Sequence, residues 1–119
     1  MAAMYERYKK VLTLSDNVTV KILTNGYLSF PTKTIATLNL ETYNYLFMYA
    51  YSTNKNLGFK LTDDYKSQSS FVINSPSISA YYCDIKKVLI YKAIDYSYER
   101  NFKVSWSEPY KIYLLTEVI

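Results

Sequence analysis

From residue 18 to residue 23 apolar and polar positions nearly alternate: Val18, Val20 and Ile22 interleave with Thr19, Lys21 and Leu23. A period of two rich in β-branched residues predicts a half-buried strand. Asn25-Gly26 follows and predicts a type I′ hairpin turn, whose two central residues both need positive φ. Tyr27, Leu28, Ser29 and Phe30 then form the expected return strand. Pro31 ends that strand by removing a backbone donor and suits the first turn of a helix. Ile35, Leu38 and Leu40 supply the apolar positions of a short helix or turn.

Residues 39–42 are expected to turn. Residues 43–52 form a strand with aromatic side chains on both faces, the mark of a central position. Residues 53–56 are a polar hairpin loop, and 57–62 return with Phe59 and Leu61 facing one way. Residues 63–70 have a linker's composition, and beyond them the order repeats. Strands are expected at 71–73 and 77–80 around a turn at 74–76. A helix follows over 84–94, with Ile85, Val88, Leu89 and Lys92 on successive turns and Asp84 favourably placed near its N-terminus. A loop at 95–99, a strand at 100–106, a turn at 107–109 and a closing strand at 110–118 complete the chain. At the opposite end, Met4, Tyr8, Val11 and Leu12 fall near one helical face of residues 1–14, a short helix or arm broken by Ser15-Asp16-Asn17.

This pattern predicts a strand-dominated α+β fold in one domain, with an arm at 1–16 and two similar β-β-α-β-β halves at 17–64 and 71–119. One such unit cannot bury both faces of its strands, whereas two packed about a pseudo-twofold axis can, as a compact barrel. The expected core is Val20, Ile22, Leu28, Phe30, Leu38, Leu46, Phe59, Leu61, Val72, Ile78, Val88, Leu89, Phe102, Val104, Ile112 and Leu114.

Composition narrows the chemistry. The 119 residues contain no histidine and a single cysteine, Cys83. The commonest general base, the usual Ser or Cys triad, an intrachain disulfide and nearly all zinc sites are thereby removed. Asp63-Asp64 is the sole adjacent carboxylate pair and reads as a solvated turn, and Gly26 and Gly58 are too few for a phosphate-cradling glycine loop. Cys83 as a nucleophile would need Lys86 or Lys87 close by to hold a thiolate. No enzymatic function, cofactor, metal or small-molecule substrate is expected. No segment approaches a membrane span, and the N-terminus lacks a basic-then-apolar signal pattern, so the expected location is cytoplasmic: the host cytoplasm or the virion if the chain is viral. Fourteen Lys and Arg oppose ten Asp and Glu, a net charge of +4 divided evenly between the halves, which permits nucleic-acid binding without demanding it. Fifteen tyrosines suit half-buried strands, and also supply rigid surface for partners or stacking bases.

The first half resembles the AbrB/MazE/SpoVT swapped-hairpin family. The matching residues are Val18-Thr19-Val20, Asn25-Gly26-Tyr27-Leu28, Phe30-Pro31, Ile35, Leu38 and Leu40, then the strand from Tyr45 and its return to Leu61. The resemblance implies intertwined hairpins that bind DNA as a transcription or antitoxin regulator, here with the second half standing in for the other protomer. Two positions depart from the family pattern. Tyr27 stands where Arg usually follows the turn glycine, and Thr42-Tyr43 replaces the usual Gly-Asp. Lys21 and Lys33 remain as family-matched basic positions.

Two functions follow from these features. The first is non-catalytic DNA binding as a small transcriptional regulator, using Lys21, Tyr27, Lys33, Lys86, Lys87, Lys92, Arg100 and Lys103. The cations would meet phosphates, and the tyrosine would stack. The alternative is a structural or protein-interaction module of a virus-type accessory kind, able to form homo-oligomers through tyrosine and Trp106 surfaces.

Overall fold

The computed structural model describes residues 18–63, 70–77 and 80–118. The expected N-terminal arm, most of the linker and Ile78 lie outside the described residues. The elements are β1 (Thr19–Ile22), β2 (Tyr27–Phe30), α1 (Thr32–Leu38), a 3₁₀ turn (Leu40–Thr42), β3 (Tyr45–Ala50), β4 (Leu57–Thr62), β5 (Ser70–Val72), β6 (Asn74–Ser77), β7 (Ala80–Asp84), α2 (Lys86–Tyr91), β8 (Arg100–Ser107) and β9 (Ile112–Val118).

The nine strands form one antiparallel sheet in the order β5-β3-β4-β9-β8-β1-β2-β7-β6. Its two ends, β5 and β6, are separated in sequence by Ile73 alone. They are therefore two halves of one bent segment, which pairs with β3 before Ile73 and with β7 after it. This bend curls the sheet almost completely closed into a barrel. Phe30 on β2 and Phe59 on β4 lie four steps apart in the strand order, yet their rings meet edge to face at 5.8 Å across the interior. Phe59 also stacks on Tyr113 of the neighbouring β9 at 5.2 Å, and Trp106 meets Tyr113 edge-on at 5.0 Å.

The opening hairpin forms with a different turn from the type I′ expected. The Gly26 N–H donates to the Leu23 carbonyl at 2.9 Å, closing a turn over Thr24 and Asn25, and Leu23 N–H donates to Tyr27 C=O. Gly26 takes a φ of 82°, whereas Asn25 does not take positive φ. This is a three-residue loop, the next most common hairpin solution. Asn25 Oδ1 accepts the Tyr27 N–H at 3.1 Å, which holds asparagine in the turn without the left-handed conformation.

Pro31 sits at the N-cap of α1 and its carbonyl accepts the Ile35 N–H. Asn39 ends the helix in the left-handed region at φ 57°, a conformation that asparagine tolerates. Thr34 on α1 is fully buried and locks the helix to β1. Its hydroxyl accepts the Thr19 N–H at 3.1 Å and donates to the Thr19 carbonyl at 2.5 Å. Thr34→Val would leave both backbone groups unmatched, and we expect a loss of about 1–3 kcal/mol in urea unfolding. Thr34→Ser, which keeps the hydroxyl, should recover most of it. Equal midpoints for Thr34→Val and the native chain would overturn this role.

The second half departs from expectation at three points. Residues 74–77 form strand β6 instead of a turn, because their backbone pairs with β7. The following strand occupies Ala80–Asp84 instead of 77–80. The second helix spans Lys86–Tyr91, shorter than 84–94, because Ala93 turns left-handed at φ 54° and its N–H donates to Ile90 C=O.

Most expected core positions are buried: Val20, Ile22, Leu28, Phe30, Leu38, Leu46, Phe59, Leu89, Phe102, Val104 and Ile112. Leu61 and Val88 pack against the core from partly buried positions. Val72 and Leu114 are corrections, at 52% and 36% exposure. Each is one residue out of phase with its strand. Phe71 and Ile73, and Tyr113 and Leu115, point inward in their place. Ile112 is buried, but outside the main cluster.

Candidate nucleic-acid interface

Because side chains alternate across the sheet, β1, β2, β7 and β8 present one outward row. Register places Asn74 beside Tyr82, Tyr82 beside Ser29, Ser29 beside Lys21, and Lys21 beside Asn101. Tyr27, two residues from Ser29 on the same face, stacks on Tyr82 with centroids 5.2 Å apart and planes 14° from parallel. The Lys86 ammonium lies 5.1 Å from the Tyr27 ring centroid. Lys103 faces outward on β8, opposite Thr19 and two residues beyond Asn101. It is a diagonal neighbour of Lys21, a separation that long side chains can bridge. Four expected site residues, Lys21, Tyr27, Lys86 and Lys103, thus share one surface.

The local sequence explains this placement. Gly26 lets the chain enter β2 beneath Lys86: a Cβ there would lie 2.1 Å from the lysine Cγ. Asp84, opposite Tyr27 in the β2–β7 ladder, accepts the Lys86 backbone N–H at 3.1 Å and its ammonium at 3.0 Å. Partial burial pushes the Asp84 carboxyl up, but these bonds from Lys86 and the charge of Lys87 outweigh it and hold the carboxyl below its ordinary value. The same hydrogen bond to Asp84 raises the Lys86 ammonium. Lys21 faces Glu99 at 3.5 Å. Both ion pairs are roughly half exposed, so they contribute little to folding and can exchange for a stronger anion.

The remaining expected cations lie elsewhere. Lys33 is exposed in the first turn of α1, which leaves β2 at the end opposite Tyr27. Lys87 is exposed on α2. The Lys92 ammonium donates to the Tyr51 carbonyl at 2.7 Å. Arg100 grips Glu117 through Nε at 2.8 Å and a terminal nitrogen at 2.5 Å, and its other terminal nitrogen donates to Asp95 C=O at 2.8 Å. Three of its five donors are thereby held within the protein.

The Arg100–Glu117 fork joins the ends of β8 and β9, its side chains 17% and 30% exposed. The Arg100 hydrogen bonds hold the Glu117 carboxyl below its ordinary value. Folded Glu117 therefore stays ionised at pH values where the unfolded chain has begun to bind protons. Its contribution is complete above the ordinary glutamate range and is lost as pH falls through the lowered folded value. We expect Glu117→Gln to cost about 1–2 kcal/mol at pH 7 and to flatten the acid limb of stability. An unchanged acid limb in urea unfolding from pH 7 to pH 3 would refute this.

Tyr82 was missed in the sequence, although the outward alternation of Ala80, Tyr82 and Asp84 carries the signal once β7 is correctly placed. Burial, reinforced by the Asp84 charge, raises the Cys83 thiol to about 12, so it is neutral at physiological pH and enclosed in the core. Among the described residues no three His, Cys, Asp or Glu side chains converge, and no helix is long and apolar enough to cross a membrane. The half-buried tyrosine stack and the ammonium groups beside it are suited to binding an anionic, ring-bearing partner. No protein-family model, curated protein or solved structure matches this chain.

Proposed function

We propose that this protein is a non-catalytic nucleic-acid-binding module, a small DNA regulator in the first instance, with its contact surface on the face of Tyr27, Tyr82, Lys21, Lys86 and Lys103. One observation carries the reading: the Lys86 ammonium lies over the Tyr27 ring of a stacked tyrosine pair, 5.1 Å from its centroid, beside further outward lysines. Bases can stack on such a platform without sequence preference, while phosphates replace the Asp84 and Glu99 carboxylates.

Supporting a regulator of the swapped-hairpin kind, the strand pairings fall into matched sets. The β1–β2 hairpin corresponds to β6–β7, and β3–β4 to β8–β9. The pairing of β1 with β8 corresponds to that of β3 with the β5–β6 segment. In this scheme β2 pairs with β7, and β4 with β9, across a pseudo-twofold axis. Both helices follow a strand of the β2–β7 pair and are closed by a left-handed residue, Asn39 or Ala93. We infer that the chain is a fused pair of equivalent halves, a single-chain counterpart of a dimer.

The test is binding to labelled single- and double-stranded DNA across a salt series. Each phosphate contact should add about 0.7–0.9 to the slope of log affinity against log salt. Lys21→Gln with Lys86→Gln should flatten that slope, and Tyr82→Ala should weaken binding by about 1–3 kcal/mol per stacked base. Absence of binding at low salt would reject the proposal. It would favour the protein-interaction reading, for which the supporting feature is a second surface. There Tyr49, Tyr51, Tyr110 and Leu114 line an exposed apolar groove floored by Gly58.

A further inference from the structure

The loop joining β3 to β4 meets the end of α2 through two reciprocal lysine contacts. Lys55 on the loop donates to the Ala93 carbonyl at 2.9 Å, while Lys92 donates to the Tyr51 carbonyl at 2.7 Å. Between them lies an open concavity of about 470 Å³, lined also by Ser52, Thr53, Asn54 and Tyr91, with no acidic residue in its wall. Carbonyls, not carboxylates, fix both ammonium groups, so their charges are held in place without being neutralised. An ammonium has three donors, and each of these has one engaged, which leaves four N–H groups and two positive charges at one site.

The surrounding groups suit the same ligand. Asn54 Oδ1 accepts the Asn56 N–H at 2.8 Å, so its amide N–H₂ remains as a donor. Four carbonyls near the end of α2, which would repel an anion, already accept hydrogen bonds: Val88, Leu89 and Ile90 accept the N–H groups of Lys92, Ile94 and Ala93, and Ala93 accepts Lys55. The nearby Asp95 carboxylate receives the Ser97 N–H at 2.8 Å. Two like charges in one concavity repel each other, and a multiply charged oxyanion relieves that repulsion. A carboxylate offers two oxygens, fewer than the donors present, whereas a phosphoryl group offers three or more.

We propose that the concavity between the β3–β4 loop and the end of α2 is a phosphoryl-oxyanion site held by Lys55 and Lys92. The ligand is either free phosphate or the phosphodiester backbone of a nucleic acid. The site shares no residue with the Tyr27 face, so it can succeed or fail independently of the function proposed above.

Pyrophosphate titrated into the full chain at constant ionic strength, followed by NMR of the lysine side-chain Cε–Hε signals, tests it. Saturable shifts of the Lys55 and Lys92 signals that follow one binding curve are expected, with at least a tenfold loss of affinity at this site in the Lys55→Gln, Lys92→Gln double variant. Glutamine retains a donor for the carbonyls, and an unchanged unfolding midpoint would show that the double variant folds normally. A short oligonucleotide that competes with pyrophosphate in the native chain would assign the site to a nucleic-acid backbone. Pyrophosphate binding without such competition would assign it to free phosphate. Non-saturable shifts, or equal affinity in the double variant, would overturn the proposal.

Discussion

Phe59→Ala is expected to lower the unfolding free energy by about 3–5 kcal/mol, as a midpoint shift in urea. Phe59 has no exposed surface and joins the two sides of the barrel, meeting Phe30 across the interior and Tyr113 on the adjacent strand. Its removal takes away apolar burial and two aromatic contacts, and it leaves a cavity whose walls are fixed in hydrogen-bonded strands. Those walls can relax little, so the cost belongs in the upper part of the range for large-to-small changes. Domains are typically stable by only about 5–15 kcal/mol, so this one change could remove most of the margin. Val72→Ala supplies the contrast. Val72 points away from the barrel and should cost less than about 0.5 kcal/mol. A Phe59→Ala loss below 1 kcal/mol would mean that the interior is not packed as described.

Gly58→Val is the second large effect, expected near the upper end of the roughly 1–3 kcal/mol for overpacking. A Cβ at Gly58 would lie 2.8 Å from the Tyr113 carbonyl oxygen and 2.9 Å from Ile112 Cδ1. The carbonyl is backbone and cannot move without disturbing the β4–β9 ladder. That seam is registered by two pairs, Gly58 with Leu114 and Phe59 with Tyr113, so a small displacement threatens barrel closure. Valine's preference for strands cannot offset a contact that separates them. Gly26→Ala differs in cause. Its φ of 82° costs an L-residue about 1–2 kcal/mol, but the atom its Cβ meets is on the flexible Lys86 side chain. Urea unfolding should therefore rank Gly58→Val as the more damaging change. A near-native midpoint for Gly58→Val would show that the β4–β9 seam has room to spare.

The candidate interface was partly legible in the same way as the fold. Lys21 and Tyr27 flank a turn that residue chemistry identifies, so their outward placement follows from alternation. Lys86 could be read as basic and near a helix start, but its position over the Tyr27 ring needs the β2–β7 pairing, formed by segments more than fifty residues apart. The roles of Arg100 and Lys92 were equally hidden. In sequence both are plain cations; in the fold, Glu117 and the Asp95 carbonyl hold Arg100, while the Tyr51 carbonyl fixes Lys92 away from the Tyr27 face and leaves its charge unpaired by a carboxylate.

Local chemistry was enough to place the opening strands, the interruption at Pro31, the hairpin loop at 53–56, the turn expected at 107–109, which in the fold reaches on to Lys111, and the strand-dominated class. These features depend on near neighbours: alternation, β-branching, turn residues and a missing backbone donor. The second half resisted because its choices depend on distant partners. Residues 74–77 carry turn-forming types, but a waiting β7 edge draws them into a strand. Val72 and Leu114 show the same limit, since in a run of consecutive apolar residues a shift of one exchanges the faces, and only the opposing strands fix the phase. Near-closure of the barrel lies beyond local pattern altogether, because it arises where the bend at Ile73 gives one segment to both ends of the sheet.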